Sequence, residues 1–275
     1  MSGLLGASEI RDIAQRIGVT PTKKLGQNFV VDANTCRRIV KSADVNEHDI
    51  ALEIGPGLGS LTLALLESAK SVTVIEIDPR LAHELPNTIE KHGFELSRLS
   101  VINADAMDLE VLDPKPTVLV ANLPYNVSVP VLLRAFEKLP SLIKGVVMVQ
   151  SEVADRLVAR PGSKSYGSPS VKATWWGTLT PAGNVGRSIF WPIPNVDSSL
   201  VRFDRHEVPG DEALRLKTFA VIDGAFAQRR KMLRSALSGL LGAHASAIIE
   251  RAGVDPTARG EALVLADFIR IAQQQ

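Results

Sequence analysis

The 275-residue chain contains one cysteine, Cys36. That count excludes an intramolecular disulfide and a zinc site built from several thiolates, and it fits a reducing compartment. Cys36 itself reads as a small buried hydrophobe. No apolar run approaches the roughly 20 residues that a bilayer-spanning helix needs. The first sixteen residues carry Glu9 and Asp12 where a secretory leader would have a basic start and an apolar core. A soluble, cytoplasmic, monomeric protein with no membrane partner and no metal site is expected. Charge of one sign is also missing: Lys and Arg total 31, Asp and Glu 30, and the net charge is +1. Such balance neither demands nor forbids a polyanionic partner, so any basic surface must be local.

What is present is 45% hydrophobic residues, enough to fill one substantial core with a smaller module beside it. Ile10, Ile13, Ala14 and Ile17 recur at helical spacing and predict a short helix ending near Gly18. From about Asp49 the chain alternates strands with helical stretches. Strands are expected at 50–54, 72–77, 99–103, 117–121 and 145–150, with helices through 61–66 and 81–89. That alternation implies right-handed crossovers and a mostly parallel sheet covered on both faces. After Leu157 the pattern changes, and Trp175 and Trp176 favour a strand within 171–180. A last strand at 200–203 would close the sheet by antiparallel pairing. Beyond Pro209 the pattern is helical at 213–226, 231–240, 245–251 and 261–269. The resulting division is a catalytic domain over 1–207 and a small C-terminal helical domain over 208–275.

Glycines alternate in Glu53-Ile54-Gly55-Pro56-Gly57-Leu58-Gly59, which leaves a strand and opens a helix. Without side chains there, backbone amides can approach a ligand closely. The spacing is G-x-G-x-G, whereas a dinucleotide fingerprint wants G-x-G-x-x-G, and no G-K-[S/T] follows to grip phosphates. Glu53 suits a cationic amino-acid moiety better than a pyrophosphate. The next strand ends at Glu76, where a ribose diol would donate two hydroxyls to one carboxylate. Asp78 competes for that role, although its place before Pro79 suits a helix cap. The third strand leads to Asp105, a candidate acceptor for an adenine amine, and to Met107, which can lie against the ring.

Asn122-Leu123-Pro124-Tyr125 follows the fourth strand. An amide, carbonyls beside a rigid proline and an aromatic ring can grip a flat, amino-bearing base. The same tetrapeptide also makes an ordinary turn at a strand end.

Together these motifs resemble a class I S-adenosylmethionine-dependent methyltransferase, and more closely the ribosomal RNA adenine dimethyltransferase family. The likeness rests on LGQNF at 25–29, EIGPGLGSLT at 53–62, VIEID at 74–78, NADAM at 103–107, NLPYNVSVPVL at 122–132, FWPIPNVDSS at 190–199 and QRRKMLRSAL at 228–237. It implies an α/β, Rossmann-like sheet followed by a small helical domain. It also implies dimethylation of N6 on two adjacent adenosines near the 3′ end of small-subunit (16S) rRNA, with the small ribosomal subunit as partner. Carried over by position, Asn28, Val30, Gly55, Glu76, Asp105 and Asn122 would contact S-adenosylmethionine, and Gln27 and Phe29 would shape the loop over it. Asn122 with the carbonyls of Leu123 and Pro124 would hold the target amine, and Tyr125 and Phe190 would sandwich the base.

Trp191, Ile193 and Asn195 depart from the family pattern, where a small or polar residue, a proline and a lysine are expected. Basicity is clustered at Lys23 and Lys24, at Arg37, Arg38 and Lys41, and at Arg229, Arg230, Lys231 and Arg234. Of these, Lys23, Lys24, Arg229, Arg230, Lys231 and Arg234 are the candidates for RNA phosphate contacts. Other readings are a large-subunit rRNA adenine methyltransferase of the macrolide-resistance type, a non-catalytic nucleic-acid binder on the same fold, and an NAD-dependent dehydrogenase. Intact EIGPG and NLPY oppose the second, and the glycine spacing opposes the third.

Overall fold

The computed structural model describes residues 3–21 and 27–275. Two compact units are present: Met1–Ala154 with Thr180–Arg205, and Asp155–Leu179 with His206–Gln275.

The first unit is built on a seven-stranded sheet. Its strands are β2 (Ile50–Ile54), β3 (Ser71–Glu76), β4 (Leu99–Asn103), β5 (Val118–Asn122), β6 (Lys144–Gln150), β7 (Gly177–Val185) and β9 (Ser198–Arg205), in the order β4-β3-β2-β5-β6-β9-β7. A separate pair joins β1 (Phe29–Val30) to β8 (Phe190–Trp191). β2 through β6 pair in parallel, and β9 runs antiparallel to β6, matching Lys144 to Asp204 and Gln150 to Ser198. Val118, Leu119, Val120 and Ala121 are each at most 1% exposed. A parallel strand covered on both faces needs such an unbroken apolar run, because neither side of its pleat meets water.

The sheet's covering helices include α2 (Ala33–Ser42), α3 (Ser60–Leu66), α4 (Pro79–Lys91) and α5 (Ser128–Lys138), of which α3 is buried along its whole length. α4 starts at Pro79 with Asp78 as its cap, the carboxylate accepting from the Arg80 amide at 3.0 Å. Proline at the first helical position costs no intrahelical hydrogen bond, and the cap satisfies one of the orphan amides. An N-terminal helix, α1 (Ala7–Arg16), is tied to α4 by Arg16, which donates twice to Glu84 at 2.6 and 3.1 Å.

In parallel registry Ile54 lies opposite Ile75 and Glu76 opposite Asn103, so the strand ends that carry the motifs meet at one edge. β2 sits between β3 and β5, where the strand order reverses. The loops after β2 and β5 therefore splay apart and open a crevice at their carboxyl ends, the place where open α/β sheets bind ligands.

The second unit contains α7 (Ser168–Ala173), α8 (Glu212–Ala227), α9 (Leu233–Ala236), α10 (Ser238–Leu241), α11 (Ala245–Arg251) and α12 (Leu265–Ala272), and α6 (Ser151–Leu157) enters it. Tyr166, Val171, Val221, Ile222, Leu233, Ile249 and Phe268 form its core.

Four expectations change here. A single cut at 207/208 misses the early segment 155–179, which packs with the helices: Tyr166 donates to the Leu263 carbonyl at 2.7 Å, and both tryptophans set their edges against Phe219. The strand expected over 171–180 is helix α7, a turn and only then β7, because Ser168 and Pro169 start a helix that holds through Ala173. Trp175 and Trp176 are buried in the turn by packing rather than by pairing. The helix expected at 231–240 is broken into α9 and α10, and the last helix starts at Leu265 instead of Glu261.

Candidate cofactor and base site

A cavity of about 200 Å³ opens at the reversal point. Gln27, Asn28, Val30, Gly55, Glu76, Asp105, Met107, Asn122 and Pro124 all line it. The backbone of the glycine loop makes this possible. Gly55 has φ +71° and Gly57 φ +58°, a left-handed region costly for other residues, and a Cβ on Gly57 would lie 2.8 Å from the Phe29 ring. Phe29 thus closes over the glycine turn.

Glu76 is 5% exposed and accepts from the Gly57 amide at 3.1 Å and the Asp78 amide at 2.9 Å. Burial raises its pKa, although those amides favour the carboxylate. Asp78 takes the rival role foreseen for it: it caps α4, pairs with Arg80 at 2.7 Å and receives Gln27. Asp105 accepts from the Met107 amide at 2.8 Å, which ties the two residues into one turn.

Glu53 lines the same cavity, is 1% exposed and accepts from the Thr62 hydroxyl at 2.6 Å. Burial, with a smaller contribution from the nearby Glu76 charge, pushes its pKa up to about 8. Glu53, Glu76 and Asp105 give the cavity three acceptor carboxyls. An amino-acid ammonium, a ribose diol and an adenine amine are all donors, so the residues present fit S-adenosylmethionine.

The Asn122 side-chain amide donates to the Asn28 carbonyl at 3.1 Å. A carbonyl only accepts, so this bond fixes which end of the amide is nitrogen and turns Oδ1 into the acceptor for a ligand. It also joins the start of the chain to the end of β5. The Leu123 amide donates to the Met148 carbonyl at 3.1 Å, while the Pro124 carbonyl already accepts from the Val127 amide at 3.2 Å. A second lone pair on that oxygen is what it can offer.

The two rings of the expected sandwich stand differently. Tyr125 is half-buried and its hydroxyl lies 2.8 Å from the Ser198 hydroxyl; burial raises its pKa. Phe190 is 2% exposed and belongs to the core. In the β1–β8 pair successive side chains alternate, so Phe190, opposite Val30, turns inward while Trp191 stacks on Phe29 with ring centroids 6.1 Å apart. In this structure Phe190 packs in the core and presents no open face.

Several lining residues escaped the sequence reading, notably Ile77, Asn126 and Val127. Ile77 is the one with a signal in the sequence. It is an apolar residue between two acids at the end of a strand, and in the structure it is 50% exposed and lines the cavity. Of the expected RNA contacts, Lys23 and Lys24 lie outside the described residues. Arg230, Lys231 and Arg234 are exposed, whereas Arg229 is held by Glu261 at 2.8 Å.

Known proteins resemble this arrangement over nearly the whole chain. The family model described as ribosomal RNA adenine dimethylase matches residues 19–274. The ribosomal RNA small subunit methyltransferase A of Leifsonia xyli is 58% identical over 273 residues, 98% of either chain. Among solved structures, a dimethyladenosine transferase from Plasmodium falciparum superposes with a TM-score of 0.74 at 25% identity, covering 88% of this chain and 95% of that one. The 23S rRNA methyltransferase ErmE superposes with a TM-score of 0.66 at 26% identity, covering 90% and 99%. The sheet order, the cavity at its reversal point and these likenesses agree: the chain belongs to the ribosomal RNA adenine dimethylase family.

Proposed function

We propose that this protein dimethylates N6 of two adjacent adenosines near the 3′ end of small-subunit (16S) rRNA, acting as a cytoplasmic monomer in small-subunit biogenesis. The observation that carries the reading is Asn122. Its amide nitrogen donates to the Asn28 carbonyl, which identifies its oxygen as the acceptor left for a ligand in the crevice that Asn122 and Pro124 line.

S-adenosylmethionine supplies an electrophilic methyl group when bound. Gly55, Gly57, Glu53, Glu76, Asp105 and Met107 would hold it, and Asn28 and Val30 line the same cavity. Adenine N6 is a poor nucleophile because its lone pair is delocalised into the ring. Asn122 Oδ1 and the carbonyls of Leu123 and Pro124 accept its hydrogens and draw them out of the ring plane, which localises the lone pair. Fixed acceptors and fixed orientation then lower the barrier without a strong general base. Tyr125 offers a stacking face that offsets unstacking of the target base by roughly 1–3 kcal/mol.

ErmE supports a second reading, action on large-subunit RNA, but at 26% identity against 58% for the small-subunit relative. Undermethylated small and large subunits, each incubated with labelled S-adenosylmethionine, separate the two. Label is expected in small-subunit RNA, and label confined to large-subunit RNA would overturn the proposal.

A further inference from the structure

The second unit places two segments 65 residues apart in sequence side by side through one arginine. Arg229 donates from Nε to Glu261 at 2.8 Å and from its terminal nitrogen to the Lys164 carbonyl at 2.8 Å, with the Ser163 carbonyl at 3.5 Å. Gly162 donates its amide to the Glu261 carbonyl at 2.8 Å. The loop at 160–164 is thereby fixed against the turn that ends α8. Arg160 and Lys164 on the loop, and Arg230 and Lys231 on the turn, are exposed, and among the described residues their side chains make no hydrogen bond or ion pair. The nearby carboxylate, Glu261, is spent on Arg229.

We infer that Arg160 and Lys164, together with Arg230 and Lys231, form one composite phosphate-binding surface for RNA, and that Arg229 is the strut that assembles it rather than a contact. The inference rests on the proposed function and adds to the candidates Arg230 and Lys231 a second loop, Arg160 and Lys164, and a different role for Arg229. Uncompensated cations cost repulsion in the free protein, which a polyanion relieves, and two separate loops set a spacing that a single flexible run would not. RNA phosphates supply that charge in a fixed array. A strut arginine uses its planar fork on carbonyls and a carboxylate, geometry that a lysine cannot reproduce.

The test compares wild type with the double variant R160Q/K164Q for binding to undermethylated small subunits over a range of salt. Calorimetric binding of S-adenosylmethionine serves as the check on folding. The expected result is about tenfold or greater loss of affinity near 0.1 M salt, a log–log salt slope shallower by roughly two units, and unchanged cofactor affinity. R229A should cost a comparable factor alone and little more when added to R160Q/K164Q, because a strut without its loop charges has nothing to position. Unchanged affinity and slope in R160Q/K164Q would overturn the surface, and effects of R229A that multiply independently would overturn the strut. Wild-type protein that binds cofactor but neither binds nor methylates small subunits would instead sink the proposed function.

Discussion

At the residue scale the unusual group is Glu53, a carboxyl buried beneath the cofactor cavity. Its pKa is about 8 in the folded protein and near 4.5 when unfolded. The native state holds the extra proton, so this contribution to stability is complete below about pH 4.5 and is lost as pH rises through about 8. Glu53→Gln removes that loss. In denaturant melts the variant should gain on wild type as pH climbs from about 5 to about 9, and a difference independent of pH would contradict the assignment. The aromatic pair makes a second contrast. Tyr125→Ala should weaken turnover on RNA by a factor on the order of 5 to 150 with little change in thermal midpoint, as expected for a lost stack. Phe190→Ala, which empties a core position, should cost roughly 3–5 kcal/mol of stability. Thermal melts alongside kinetics decide it: a Phe190→Ala variant as stable as wild type would show that the ring is free to serve the base.

At the scale of elements, the glycine turn joins sequence to site. Gly57→Ala must strain a left-handed residue by about 1–2 kcal/mol and also push Phe29 away, and Phe29 bears on Trp191. Calorimetry should show weaker cofactor binding, and an unchanged constant would contradict the close packing described. The same elements show what was legible beforehand. Strand ends carrying Glu76, Asp105 and Asn122 were readable because parallel strands are continuous apolar runs that stop abruptly at polar residues. Glu53 and the glycines were readable from spacing. The buried place of Phe190 was not, since a two-residue strand carries no periodicity to say which of Phe190 and Trp191 turns inward. Nor was the break between α9 and α10, where an apolar stretch looks helical throughout.

At the scale of the molecule, the second unit is assembled from two separated stretches of chain. Truncation after residue 207 would leave Tyr166, Val171, Trp175 and Trp176 without the helical residues that cover them. The fragment should bind a hydrophobic dye and melt at a lower temperature than the whole chain; a fragment as stable as the full protein would contradict the division. This recruitment of 155–179 was invisible in composition, because those residues are contiguous with the sheet in sequence and belong to the helices only through long-range packing. The proposed chemistry turns on the acceptor atom. Nuclease digestion and mass spectrometry of small-subunit RNA methylated by wild type and by Asn122→Ala test it most directly. The account predicts N6,N6-dimethyladenosine at two adjacent positions, formed at least about 100-fold more slowly by the variant. Methyl groups on another atom, or an Asn122→Ala enzyme that works at the wild-type rate, would contradict it.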